Sequence, residues 1–342
     1  MTSRHKQILS ALFLLGSIAA PLAAHAQFKV QDKWKIGGEG GWDYLLADPS
    51  AHLLYVTHGP RVEIIDTASG KAVGAITDLK GTHGIALDDA DKLGYVSDGG
   101  ANAVIVFDRK TFAKVGSIPA GTNPDGIVYE PVTKTVWAFN GRSSDVTVID
   151  TVQQKVVATV KLPGKPEFPT VDGQGNVYDN IETKGSIVKL DAKSDTVVAE
   201  WPLSGCESPS GMTIDRKGHR LFSVCDGKKM AVVDYANGKL LATPVIGDSP
   251  DAAGYDAKLG LAFSSNGDGT LTIIDAGKPG YNVLQTLPTQ KGARTMAFDS
   301  GTGRIYFSVA EYGPLPAASA QGARRRPPVL PGSFSILVVG TK

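Results

Sequence analysis

Two histidines stand out by the company they keep. His58 closes the run LLYVTH (53–58) and His83 opens HGIALD (83–88), with Asp43 before the pair and Asp125 after it. Two imidazoles with neighbouring carboxylates are a donor set for Zn²⁺ or another first-row ion. An oxygen-rich ring that includes Asn140 and Asn266 would instead suit Ca²⁺. Carboxylates crowded together also raise one another's pKa, as a general acid requires. Each of these chemistries needs a fold that gathers residues scattered along the chain.

The pattern that gathers them is a repeat. Short β-branched runs ending in Asp recur as EIID, VIVFD, VTVID, IVKLD, AVVD and LTIID, closing at Asp66, Asp108, Asp150, Asp191, Asp234 and Asp275. The spacings are 42, 42, 41, 43 and 41 residues. A period near 40 built from several period-two strands predicts a β-propeller, one four-stranded sheet per repeat. In the second unit HGIALD reads as strand a, LGYVS as b, AVIVFD as c and AKVGSI as d. The repeated Asp has a structural task, since its side chain can accept from backbone N–H groups two residues on and set the c–d turn.

Six complete units begin near residues 41, 83, 125, 167, 210 and 251, and a seventh near 293 lacks its strand d. The missing strand is at the other end, in KVQDKWKI, because Ile36 precedes Asp43 by the seven residues that separate Ile76 from His83. The expectation is all-β: a single seven-bladed propeller over 27–342, its last blade completed by the N-terminal strand so that no sheet edge is left open.

Residues 1–26 read as a cleavable signal peptide, with Arg4 and Lys6 before an apolar run and Ala24-His25-Ala26 before Gln27. That predicts a periplasmic or secreted protein. The leader takes two of the 35 basic residues, which leaves 33 against 34 acidic ones, a net of −1. Such a balance gives no general attraction to nucleic acid. No later apolar stretch is long enough to span a membrane.

In a propeller the d–a and b–c loops share one face, around the mouth of the central channel. Five residues before the end of each strand a stand Asp43, His83, Asp125, Glu167, Ser210, Asp251 and Arg294. At the end of each strand b stand His58, Asp98, Asn140, Cys225, Asn266 and Val309, with Asn180 or Ile181 in the fourth unit. His58 and His83 thereby fall on one face in adjacent blades, with Asp43 and Asp125 flanking them as candidate metal ligands. The alternative is a wet rim whose polar ends bond only water and loop backbone.

The chain also resembles the YVTN-repeat, YncE-like family of periplasmic propellers. The resemblance rests on PDGIVYE, VTVIDT and VVATV in unit three, YVTH with EIIDT in unit one, and YVSD in unit two. It implies export and a propeller fold, and it assigns no reaction. His58 takes the slot that this family usually fills with Asn.

Other motifs are weaker. GGEGG (37–41) opens no helix, as a phosphate loop must, and NGDG (266–269) lacks the closing Glu of a calcium loop. There is no G-x-S-x-G elbow, no C-x-x-C-H and no C-x-x-C. Cys206 and Cys225 fall on the same face of blade five and are expected to form a disulfide in an oxidising compartment, the alternative being two buried thiols. Residues 311–333, inserted between strands b and c of blade seven, carry Arg324, Arg325 and Arg326 on a Pro- and Ala-rich loop. That loop is a candidate lid or docking arm for an acidic partner, or has no role beyond connection.

Two functions follow. The preferred one is a binding or scaffold protein that takes a protein, peptide or small molecule at the channel mouth. The other is a metal-assisted hydrolase, of lactonase type, or a lyase, with the ion at His58, His83, Asp43 and Asp125.

Overall fold

A computed structural model describes residues 27–90, 92–315 and 327–341. The leader and Arg324–Arg326 lie outside the described residues. Seven four-stranded antiparallel sheets form the blades of a β-propeller. Their innermost strands, a, are Trp42–Asp48, Thr82–Leu87, Pro124–Glu130, Pro166–Val171, Glu207–Asp215, Pro250–Asp256 and Met296–Asp299.

Burial follows the radial position of each strand. Strand c of blade three, Asp145–Asp150, is buried along nearly its whole length, whereas strand d, Lys155–Lys161, is mostly exposed. A strand covered on both faces by neighbouring blades reads as a continuous apolar run. The outermost strand covers little and carries lysines, which discourage pairing with another edge. The repeated Asp residues do set the turns: Asp66 accepts from the Ser69 N–H at 2.7 Å and Asp108 from the Thr111 N–H at 2.7 Å.

The ring closes as the spacing predicts. Phe28–Lys35 pairs antiparallel with Ser335–Thr341, from Phe28 opposite Thr341 to Lys35 opposite Ser335. The Gln285 side chain accepts from the Phe28 N–H at 3.1 Å and donates to its carbonyl at 2.8 Å, which ties the closing strand to blade six. Trp34, Leu45, Leu54, Tyr306 and Ile336 form one apolar layer across the junction of blades seven and one. Cys206 and Cys225 are joined in a disulfide, with Cα atoms 5.3 Å apart.

Candidate functional site at the channel mouth

The mouth is built by a defect repeated in strand a. The a–b register slips between Trp42 and Leu45, Thr82 and Ile85, Pro124 and Ile127, Pro166 and Pro169, and Pro250 and Ala252. A bulge of this kind re-aims the residues inside it. Those residues include Asp43, His83, Asp125, Glu167 and Asp251, which therefore leave the ladder and face one another across the opening.

Three of them meet. His83 Nδ1 lies 2.6 Å from Asp43 Oδ2 and 3.6 Å from Asp125 Oδ1. One donor atom from each of Asp43, His83 and Asp125 falls within 4.8 Å of the other two. The imidazole sits close over Gly99, where an added Cβ would come within 2.7 Å of Nε2. Further round, Lys165 bridges Glu167 at 3.0 Å and also Glu182. Arg294 approaches Asp251 at 3.4 Å. Ser210 is spent on the Pro250 carbonyl at 3.2 Å.

Burial and mutual repulsion govern the charges. Asp251 is pushed up to about 7 by burial, with Asp43 and Glu167 adding to the rise and Arg294 opposing it. Burial likewise raises Asp125, with His83 opposing and Asp43 and Glu167 reinforcing. Glu167 is raised by burial against the pull of Lys165. Burial works against the protonated form of His83, but the Asp43 hydrogen bond and the charges of Asp125, Asp43 and Asp98 outweigh it, so its pKa rises. Four carboxylates, Asp43, Asp125, Glu167 and Asp251, thus share the mouth with three cations, His83, Lys165 and Arg294, and burial holds protons on the more enclosed acids.

Its floor is aromatic. Tyr44 of blade one reaches across the channel to blade four, its ring centroid 5.1 Å from that of Phe168 and its hydroxyl 3.5 Å from the Glu167 carbonyl. Burial drives the Tyr44 phenol well above its ordinary pKa, helped by Asp125, Glu167, Asp43 and Asp251 around it. The corresponding residues of the other blades are Gly84, Gly126, Gly211, Ala252 and Thr295. At Gly126 and Gly211 a Cβ would come within 2.5 and 2.4 Å of the next blade's backbone carbonyl, so those blades close on each other there. Two large rings in a column of otherwise small residues are a signal legible in the sequence, one that charge alone does not reveal.

The ends of strand b are a different case from strand a. Asp98 is buried and accepts the Lys80 N–H at 2.9 and 3.1 Å. Asn140 donates to Asp145 and Thr147, and Asn266 to Thr270 and Thr272. These side chains clamp loops and do not line the opening. In blade four the position is Ile181, which pairs with Pro166 and Ser186. Val309 is buried and Cys225 is in the disulfide.

His58 also departs from the expected rim position. Only 1% of it is exposed, its ring is stacked on Phe334 with centroids 4.1 Å apart, and Gly38 packs against it. Neither ring nitrogen makes a hydrogen bond of ordinary geometry. Burial, then the Arg61 charge, lowers its pKa, with the Gly40 backbone opposing. The chain leaving the 311–333 insertion has covered it, so it takes no place in the group formed by Asp43, His83 and Asp125. The base of the insertion stands beside the mouth: Tyr312 contacts Trp42 at 6.4 Å between centroids, the Gly313 N–H donates to the Pro328 carbonyl and the Leu330 N–H to the Glu311 carbonyl.

Strand b of blade four carries an acidic residue that the repeat does not predict. Asp179 replaces Val56, Val96 or Ala138 of the preceding blades in strand b. It is fully buried, and neither carboxyl oxygen makes a hydrogen bond of ordinary geometry. Burial raises its pKa far above the usual range, with Glu167 and Asp125 adding to the effect and the Glu167 backbone opposing.

No family profile and no curated protein matches the chain. Solved structures do. Hydrazine synthase of Kuenenia stuttgartiensis aligns at TM-score 0.70 and 17% identity, over 80% of this chain and 94% of that one. U3-55K aligns at TM-score 0.73 and 11% identity, over 91% and 98%. The likeness is one of fold. Since 1813 solved chains match, so widely used a scaffold carries no function with it.

Proposed function

We propose that this protein is exported and acts as a binding module, taking a cationic group of a protein, peptide or small molecule into its channel mouth. The reading is carried by the convergence of Asp43, Asp125, Glu167 and Asp251 in a half-buried opening where Asp251 is pushed up to about 7. A positive group placed there would favour the ionised carboxylates against the burial that raises their pKa values. The leader and the YVTN-like repeats support export and a place among the YncE-like propellers, whose resemblance assigns no reaction. No helix among the described residues is long and apolar enough to cross a membrane.

A second reading has its own observation. The donors of Asp43, His83 and Asp125 lie close enough for one divalent ion, Zn²⁺ by the imidazole or Ca²⁺ by the carboxylates. A bound ion would supply Lewis-acid chemistry for a hydrolase or lyase. The chain's own part would be to present three ligands from three blades above the Tyr44–Phe168 pair.

One set of measurements separates the two. The purified protein is assayed for metal, then titrated with trilysine and with Zn²⁺, as wild type, Asp251→Asn and His83→Ala. Binding of trilysine that weakens in Asp251→Asn and fades with salt supports the binder. Absence of mouth-dependent trilysine binding overturns it. Stoichiometric metal lost in His83→Ala would move the conclusion to the second reading.

A further inference from the structure

The Tyr44–Phe168 floor has another side. Beneath it, opening on the opposite face, is a cavity of about 460 Å³ bounded by strands a of blades one to four. Its walls are apolar, with Leu46, Ile85, Leu87, Ile127, Val128 and Phe168 among them. The size lies within the range of small-molecule sites, which pair apolar walls with a few placed polar groups. Strand a pairs on one side only, so its other edge offers backbone donors and acceptors to an occupant.

The polar side chains of this wall are nearly all engaged. Asp48 accepts from Ser50, the Ala51 N–H and Arg109. Asp88 accepts from the N–H groups of Lys92 and Leu93, and Arg109 donates to its backbone carbonyl. Tyr129 donates to Asp89 at 2.8 Å. Arg216 is the exception. It stands exposed at the rim, and among the described residues no carboxylate pairs with its guanidinium. A planar, permanently charged donor beside an apolar chamber matches a carboxylate carried on a hydrocarbon body.

We infer a second binding site at this end of the channel, for a small monoanionic amphiphile whose apolar body enters the chamber and whose carboxylate meets Arg216. It shares no side chain with the charged ring of the mouth, so each site can be altered without touching the other.

Calorimetric titration of the whole protein with decanoate, and with decylammonium as the charge-reversed probe, tests this. Wild type is expected to bind one decanoate, with decylammonium weaker by about tenfold or more. Arg216→Gln should weaken decanoate by about tenfold, and Arg216→Glu should reverse the preference between the probes. Because Arg216 is exposed, both variants should keep the wild-type thermal midpoint. Asp251→Asn, at the other mouth, should leave decanoate binding unchanged. No saturable decanoate binding, equal binding of both probes, indifference to Arg216, or loss in Asp251→Asn would each overturn the assignment.

Discussion

Replacing Asp251 by Asn should change how stability depends on pH more than it changes stability at any one pH. An unfolded Asp titrates near 3.8, and in the mouth Asp251 is pushed up to about 7. The folded state therefore holds this proton more tightly than the unfolded state does. By linkage, folding stability falls as pH rises from 3.8 to about 7 and stays low above that. At 1.36 kcal/mol per pH unit the displacement corresponds to about 4 kcal/mol. Its side chain is only 17% exposed, so solvent screening leaves most of this in place. Asn carries no charge and escapes the loss. Guanidinium unfolding of wild type and Asp251→Asn at intervals from pH 4 to pH 8.5 reads the effect directly. Any pH-independent cost of weakening the Arg294 contact shifts the whole mutant curve and cancels in the comparison. The gap between the curves should move in favour of the mutant by about 2–4 kcal/mol as pH rises. Parallel curves would refute the claim that Asp251 is held in an electrostatically unfavourable site.

Other consequences are open to simple tests. Asp179→Val, which restores the residue of blades one and two, should stabilise the protein by about 1–3 kcal/mol near neutral pH, and a lower unfolding free energy would contradict the burial argument. Asp98→Ala removes the buried carboxylate that accepts the Lys80 N–H and should cost about 1–3 kcal/mol in the same assay, with faster amide exchange at Lys80. Reducing Cys206–Cys225, which encloses a sequence separation of 19, should lower stability by about 3 kcal/mol. Zn²⁺ affinity, if the second reading holds, should rise with pH until His83 and its carboxylates have lost their protons, and proton release on binding would be seen as a buffer-dependent heat.

The repeated Asp and the alternation around it made the propeller legible, because a turn residue and a period of two are local rules. The seven-residue step from Ile36 to Asp43 located the closing strand for the same reason. The ring at strand a was also readable, since six of the seven blades slip register at that same point. Counting from repeats failed where neighbours decide the environment. His58 occupies the position the pattern gives it, but Phe334 and Gly38 come from segments outside the repeat and bury it. Asp179 belongs to no repeated column of charge, and only its register places it at the position that blades one to three fill with Val or Ala. Tyr44 and Phe168 meet only because blades one and four face each other across the ring, a relation between units that no single repeat displays.

The aromatic floor also governs traffic. Tyr44 and Phe168 meet ring to ring between the acidic mouth and the chamber on the opposite face, so movement from one to the other has to pass this pair. Exchange at the mouth should answer to the two aromatic rings at its floor and to the base of the insertion at Tyr312, which stands beside Trp42.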